Sequence, residues 1–140
     1  MLYKFQNKLV EIPKNAVFNK DQSKFIIFGT RYDALYVDKT KGEEVDLFDK
    51  EEVTSVEAVT CDEKNFWVLA NKRYSALGVY LFGINIENPN KESEFLLNWS
   101  HKLDIADGSM FVMYEADKEF LVISHKSVGI NTFNVFVIDL

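Results

Sequence analysis

The chain has 140 residues but only one cysteine, two histidines, two prolines and six glycines. A lone Cys61 excludes an internal disulfide, and without a disulfide framework nothing points to secretion. The two histidines, His101 and His125, share no Cys-x-x-Cys or His-x-x-x-His spacing, so a structural zinc site is not expected. Scarce glycine and proline leave the turns to Asn, Asp and Ser. Long apolar runs are also missing. The longest uncharged stretch, Tyr74 to Ile86, falls well short of the ~20 residues that span a bilayer. The N-terminal "MLYKFQNKLVEI" is broken by Lys4, Lys8 and Glu11, unlike a signal peptide. Positive charge is in deficit, with 16 Lys and Arg against 22 Asp and Glu, a net −6. That balance weighs against nonspecific binding to nucleic acid and to anionic lipid. An intracellular protein, cytoplasmic or nuclear, is expected.

What the chain does have is apolar and aromatic bulk, 47% and 14% of the residues, with 12 phenylalanines. One domain with a real core is within reach. Three stretches begin alike: "FIIFGT" at Phe25, "FWVLAN" at Phe66 and "FLVISH" at Phe120. Around each lie further apolar runs in a fixed order. Ahead come "NAVFN" (15–19), "VEAVTC" (56–61) and "MFVMYE" (110–115). Behind come "ALYVD" (34–38), "GVYLFGIN" (78–85) and "FNVFVID" (133–139). A fourth element precedes each trio: 2–12, 44–50 and 95–105. The runs are short and rich in Val, Ile, Phe, Tyr and Trp, and several alternate with period two, as strands do. In "VEAVTC" the alternation puts Val56, Ala58 and Thr60 on one face and Glu57, Val59 and Cys61 on the other. Residues 46–59, "DLFDKEEVTSVEAV", offer the nearest thing to a helical stripe, through Leu47, Phe48, Val53, Val56 and Val59. The polar stretch 85–94 reads as an inserted surface loop. It accounts for the wider spacing from Phe66 to Phe120 than from Phe25 to Phe66.

Four short strands every ~40–50 residues are the mark of β-propeller blades. The phase resembles the WD-repeat family, in which a repeat opens on the outer strand of one blade and closes on the third strand of the next. In that family the third strand ends on an apolar residue followed by Asp. Val37-Asp38, Ile84-Asn85 and Ile138-Asp139 occupy that place here. Ser100-His101 stands where the family carries Gly-His, and Asp33 where it carries a turn Asp. No Trp-Asp pair is present. The resemblance implies an all-β fold, a partial propeller of about three four-stranded antiparallel sheets. Residues 1–140 would form a single segment with repeats near 2–43, 44–94 and 95–140. Three blades cannot close a ring, so the expected completion is a longer chain (the ending "NVFVIDL" fits this), a second copy, or another protein. The competing architecture is one compact β-barrel or sandwich that binds a small ligand or acts as an enzyme.

Chemistry-bearing motifs are sparse. No Gly-x-Ser-x-Gly elbow exists, and Ser124 beside His125 is adjacency, not a triad. Cys61 reads as a small buried apolar side chain. "DIADG" (104–108) lacks calcium-loop spacing and reads as a turn. The glycines form no phosphate cradle. Asn98-Trp99-Ser100 matches an N-glycosylation acceptor by pattern alone. The carboxylates Glu43, Glu44, Asp46, Asp49, Glu51 and Glu52 form either a solvated acidic surface or a docking patch for a basic partner. No catalytic residue, cofactor or metal is expected. The function expected is a noncatalytic protein–protein interaction scaffold. Its partner-binding residues would be Arg31, Tyr32, Lys72, Arg73, Tyr74, His125 and Lys126, on loops following the second strand of each blade.

Overall fold

A computed structural model describes residues 3–5, 10, 12–72, 79–97, 109–126 and 133–140. Among them are eleven strands and no helix. The strands are β1 (Pro13–Phe18), β2 (Lys24–Gly29), β3 (Ala34–Asp38), β4 (Glu43–Asp46), β5 (Val53–Cys61) and β6 (Asn65–Lys72). They continue with β7 (Val79–Asn85), β8 (Glu92–Leu97), β9 (Ser109–Glu115), β10 (Lys118–Lys126) and β11 (Phe133–Asp139). They make three antiparallel sheets in which every neighbour in sequence is a neighbour in space: β1-β2-β3-β4, β5-β6-β7-β8 and β9-β10-β11. The fold is all-β and built from separate blade-like sheets; no closed barrel forms among the described residues.

Outer strand β4 pairs back onto β3, and β8 onto β7. The strands in the fourth elements of the second and third repeats therefore belong to the sheet before them. The inner strands β1, β5 and β9 lie side by side, so the sheets stack in chain order. Between the first and second sheets lies the largest core. Ile26, Phe28 and Tyr36 meet Val53, Val56, Phe66, Val68, Phe82 and Ile84. Tyr36 and Phe66 meet edge to face with ring centres 6.2 Å apart. Tyr36 Oη also donates to the Ile86 carbonyl at 2.7 Å, which satisfies a buried hydroxyl. Between the second and third sheets, Trp67, Leu69 and Leu81 meet Met110, Leu121 and Ile123. A smaller cluster caps the far face of the first sheet, where Tyr3, Phe5 and Val10 cover Phe25, Leu35 and Val37.

Glycine-poor turns are closed by carboxylate and amide side chains, as the composition requires. Asp38 Oδ1 accepts from the amides of Thr40 (2.9 Å) and Lys41 (3.2 Å). Asn85 Oδ1 accepts from Glu87 and Asn88, both at 3.0 Å. These are the residues that follow Val37 and Ile84, so the recurrent apolar-then-Asp/Asn pair is a strand end that caps its own turn. Asp62 does the same for Lys64 and Asn65 at 2.7 Å, and its other oxygen accepts from Trp67 Nε1 at 2.8 Å.

Several sequence expectations need correction. Residues 46–59 are not helical. A turn at 49–52, with the Asp49 carbonyl accepting from Glu52 and Val53 at 3.0 and 2.9 Å, leads directly into β5. The three-residue spacing of Val53, Val56 and Val59 comes from two irregularities in β5, between Val53 and Ser55 and between Val56 and Ala58. An extra residue in a strand reverses the facing of everything beyond it. Val56 and Val59 therefore share one core while Ala58 packs on the other, against the simple alternation. The stretch 85–94 is not all loop, because Glu92–Glu94 open β8 and pair with Phe82–Ile84. In 44–50 only Glu44–Asp46 are strand. Within 2–12 the described residues carry no strand.

The three phenylalanines also prove to be out of step by one. Cross-strand pairing aligns Lys24 with Asp38, Asn65 with Asn85, and Phe120 with Asp139. Taking Asp38, Asn85 and Asp139 as equivalent, the place of Phe25 and Phe66 in the third sheet is held by Leu121. Phe120 lies one position earlier and faces the opposite side.

Candidate interaction surface

One end of the stack gathers the β2–β3 connection (30–33), the β4–β5 connection (47–52) and the end of β6. The Arg31 carbonyl accepts from the Val56 amide at 2.8 Å, so the first of these loops leans on the inner strand of the next sheet. Arg31 is exposed, while Tyr32 is half-buried and packs against the main core. Beneath Tyr32 opens a cleft of about 720 Å³ walled by Asp33, Asp46, Asp49, Lys50 and Glu52. Asp49 Oδ1 accepts from the Glu51 amide at 2.8 Å, which fixes the turn that forms one wall. The acidic run of the sequence thus divides. Part of it lines this cleft beside Tyr32, while Glu44 takes a hydrogen bond from Tyr3 Oη at 2.6 Å on the first sheet. Burial, then the hydrogen bond and charge of Glu44, push the Tyr3 phenol up to about 12.

Lys72 is the last residue of β6 rather than a loop residue. Its ammonium bonds Glu94 and lies 3.6 Å from Glu52, over the ring of Tyr80 at 4.6 Å. Burial alone would lower its pKa, but the hydrogen bond and charge of Glu94 and the charge of Glu52 outweigh that and raise it. Lys72 therefore ties β6 to β8 and to the wall of the cleft. His125 and Lys126 are likewise strand residues, their backbones paired with Asn134 and Phe133 at the end of β10. Arg73 and Tyr74 lie outside the described residues. So do Asn98, Trp99, Ser100, His101 and the 104–108 turn. Of the expected residues Tyr32 lines the acidic cleft, Lys72 reaches its wall through Glu52, and Arg31 precedes Tyr32 on the same loop.

Sequence reading missed a buried polar group at the same end. Glu57 and Asn71 are both more than nine-tenths buried. Ser55 Oγ donates to Glu57 Oε1 at 2.7 Å, and Asn71 Nδ2 donates both to Glu57 Oε1 and to Ser55 Oγ. Glu57 sits at the irregularity in β5, which places a charged side chain where regular pleating would put an outward one. The available signal was a Glu between two apolar residues in an otherwise apolar run.

At the opposite end the inner hairpins converge. Phe18, Lys20, Cys61, Asp62, Glu63 and Tyr114 border a cleft of about 480 Å³. Cys61 ends β5 half-buried, as expected of a small apolar filler. Burial, helped by the charge of Asp62, pushes its thiol up to about 12 and leaves it a poor nucleophile. Among the described residues no three His, Cys, Asp or Glu side chains are placed to hold a metal ion. Nor is any helix there long and apolar enough to cross a membrane. Compared with known proteins, the chain matches no family model and no curated protein.

Proposed function

We propose that this protein is a noncatalytic protein–protein interaction scaffold, a WD-repeat-like propeller subunit that works inside a larger assembly. The observation that carries the reading is the cleft that Tyr32 borders together with Asp46, Asp49 and Glu52. Strands and turns hold its walls, and an aromatic side chain forms its lip. Such a cleft suits a Lys or Arg side chain presented by a partner, with Tyr32 available to cover the aliphatic stem. His125 and Lys126 end the corresponding strand of the third sheet.

The test is affinity capture with the tagged chain from cell extract, compared with Asp49→Lys and with the pair Arg73→Glu, Lys126→Glu. The expected outcome is loss of the captured partners in both variants, with the unfolding free energy of the Arg73→Glu, Lys126→Glu pair within about 0.5 kcal/mol of the parent and that of Asp49→Lys, which loses its turn-capping bond, within about 2 kcal/mol. Capture of the same partners by parent and variants would refute the reading.

A further inference from the structure

One wall of the cleft beneath Tyr32 is already engaged with a cation of the chain's own. Glu52, a wall residue, lies 3.6 Å from the ammonium of Lys72. That ammonium sits in a site suited to a cation. The Glu94 carboxylate bonds it, and the rings of Tyr80 and Phe82 lie 4.6 and 5.8 Å away. Carboxylates and aromatic faces together hold an ammonium that has lost much of its water. The two carboxylates are not equivalent. Glu94 stands on β8 opposite Phe82 and makes a hydrogen bond to Lys72. Glu52 belongs to the 49–52 turn and makes only an ion pair, longer than a hydrogen bond. Its amide is tied to the Asp49 carbonyl at 3.0 Å, but its side chain is 52% exposed and can turn. Lys72 is more confined, with its side chain 20% exposed. Glu92, on the same outer strand as Glu94, adds a third carboxylate. Burial, then the charges of Glu52 and Glu94, raise its pKa, and the charge of Lys72 opposes them. An ammonium that gives up Glu52 therefore keeps Glu94, stays near Glu92 and remains over the Tyr80 ring.

We infer, on the reading of the cleft as a docking site for a Lys or Arg side chain, that Lys72 is a built-in competitor for that ligand. It draws Glu52 away from the cleft, and the partner's cation takes Glu52 over on binding. The charges set the direction of the effect. Asp33, Asp46, Asp49 and Glu52 in the wall, against Lys50, leave three negative charges, and Lys72 cancels one of them. The competitor lowers affinity and sharpens choice, because a neutral side chain cannot take Glu52 from an ammonium.

The experiment is a titration of N-acetyl-Gly-Arg-Gly amide into the full chain, followed by NMR chemical shifts. Lys72→Met keeps the apolar stem and removes the charge. It should tighten binding by about fivefold, the scale of one unit charge at several ångströms in partly hydrated surroundings. Lys72→Gln should do the same, with circular dichroism unchanged in both. In a Glu52→Gln background the gain should shrink below about twofold, because no shared carboxylate remains. Lys20→Met makes the same charge change at the opposite end of the stack and should leave the affinity within about twofold. Equal affinity of the parent and both Lys72 variants overturns the competitor while leaving the cleft reading intact, provided Asp49→Lys abolishes binding. A full gain in the Glu52→Gln background, or from Lys20→Met, also overturns it, since Lys72 would then act as general charge. Binding that survives Asp49→Lys, or none to the parent and the Lys72 variants, overturns the competitor and the cleft reading together.

Discussion

Replacing Gly83 with alanine isolates the close contact on which the second and third sheets depend. Gly83 lies opposite Trp67 in the β6–β7 ladder. A methyl group added there would come within 2.9 Å of the indole Cζ3 and 2.9 Å of Ser93 Oγ. The Ser93 hydroxyl can rotate aside. The indole is held, because Nε1 donates to the buried Asp62 at 2.8 Å while the ring packs in the second core. Overpacking of this kind costs about 1–3 kcal/mol. If the ring swings out and leaves the Asp62 bond, a further ~1.5–3 kcal/mol is lost, since the acceptor is charged. Gly83→Ala should therefore destabilise by about 2–4 kcal/mol, a fall in Tm on the order of 10 °C for a chain of this size. The assay is urea unfolding followed by tryptophan fluorescence and circular dichroism. The decisive control is the same change in a Trp67→Leu background, where the methyl group has room. The cost of Gly83→Ala should there fall below ~1 kcal/mol, giving a coupling of more than ~1 kcal/mol. An equal cost in both backgrounds would show that space beside the indole is not the cause.

Three other outcomes follow from local geometry. Ala116 and Asp117 form a two-residue turn with φ of 48° and 63°, a conformation that favours Asn-Gly. Ala116→Asn with Asp117→Gly should stabilise by roughly 1 kcal/mol in urea melts; a loss of stability would mean the hairpin closes differently. Asp62→Ala removes three acceptor contacts and strands a buried indole N–H, so it should cost on the order of 3 kcal/mol by thermal melting, and Asp62→Asn should recover part of it. Burial, then the charge and hydrogen bond of Asp62, raise the pKa of Glu119 above its ordinary 4.5. The folded state therefore holds this proton more tightly than the unfolded one. Its contribution is present below about pH 4.5 and lost as pH rises through the elevated folded value. Glu119→Gln should make the chain more stable at pH 7 and flatten that part of the pH profile, whereas an unchanged profile would remove Glu119 from the account.

Strand existence was legible in the sequence because Val, Ile and Phe concentrate in runs of strand length between Asp- and Asn-rich turns. The strands at 34–38 and 133–139 match their apolar runs to the residue, because each run there is a strand flanked by polar residues. Outer strands were less legible. β4 and β8 are half polar, since one edge faces water and gains nothing from an apolar row. The irregular pairing in β5 was unreadable for a different reason. Its spacing of three belongs equally to a helix and to a strand with an inserted residue, and only pairing with β6 decides between them. Of the candidate surface, Arg31 and Tyr32 could be placed on a loop, but the cleft could not be foreseen. It forms only when the 30–33 loop of the first sheet meets the 47–52 connection to the second.

The one-residue offset of Phe120 shows why a sequence repeat and a structural repeat can differ. Had Phe120 held the place of Phe25 and Phe66, it would face the second sheet and fill the core beside Leu69. Leu121 fills that place instead and is fully buried. The β9–β10 hairpin extends two residues beyond its counterparts, pairing Glu115 with Lys118 and Tyr114 with Glu119. This extension sets the register and turns Phe120 to the side away from the second sheet, beside Met113. The same shift that spoils the alignment of the phenylalanines thus moves an aromatic residue from an internal junction to the open face. Its register counterparts on the first two sheets are the half-buried polar residues Lys24 and Asn65. Phe120→Ser should therefore leave the Leu121–Trp67 core intact and cost less in urea unfolding than the ~2–5 kcal/mol expected of Leu121→Ala, and equal costs would refute the offset.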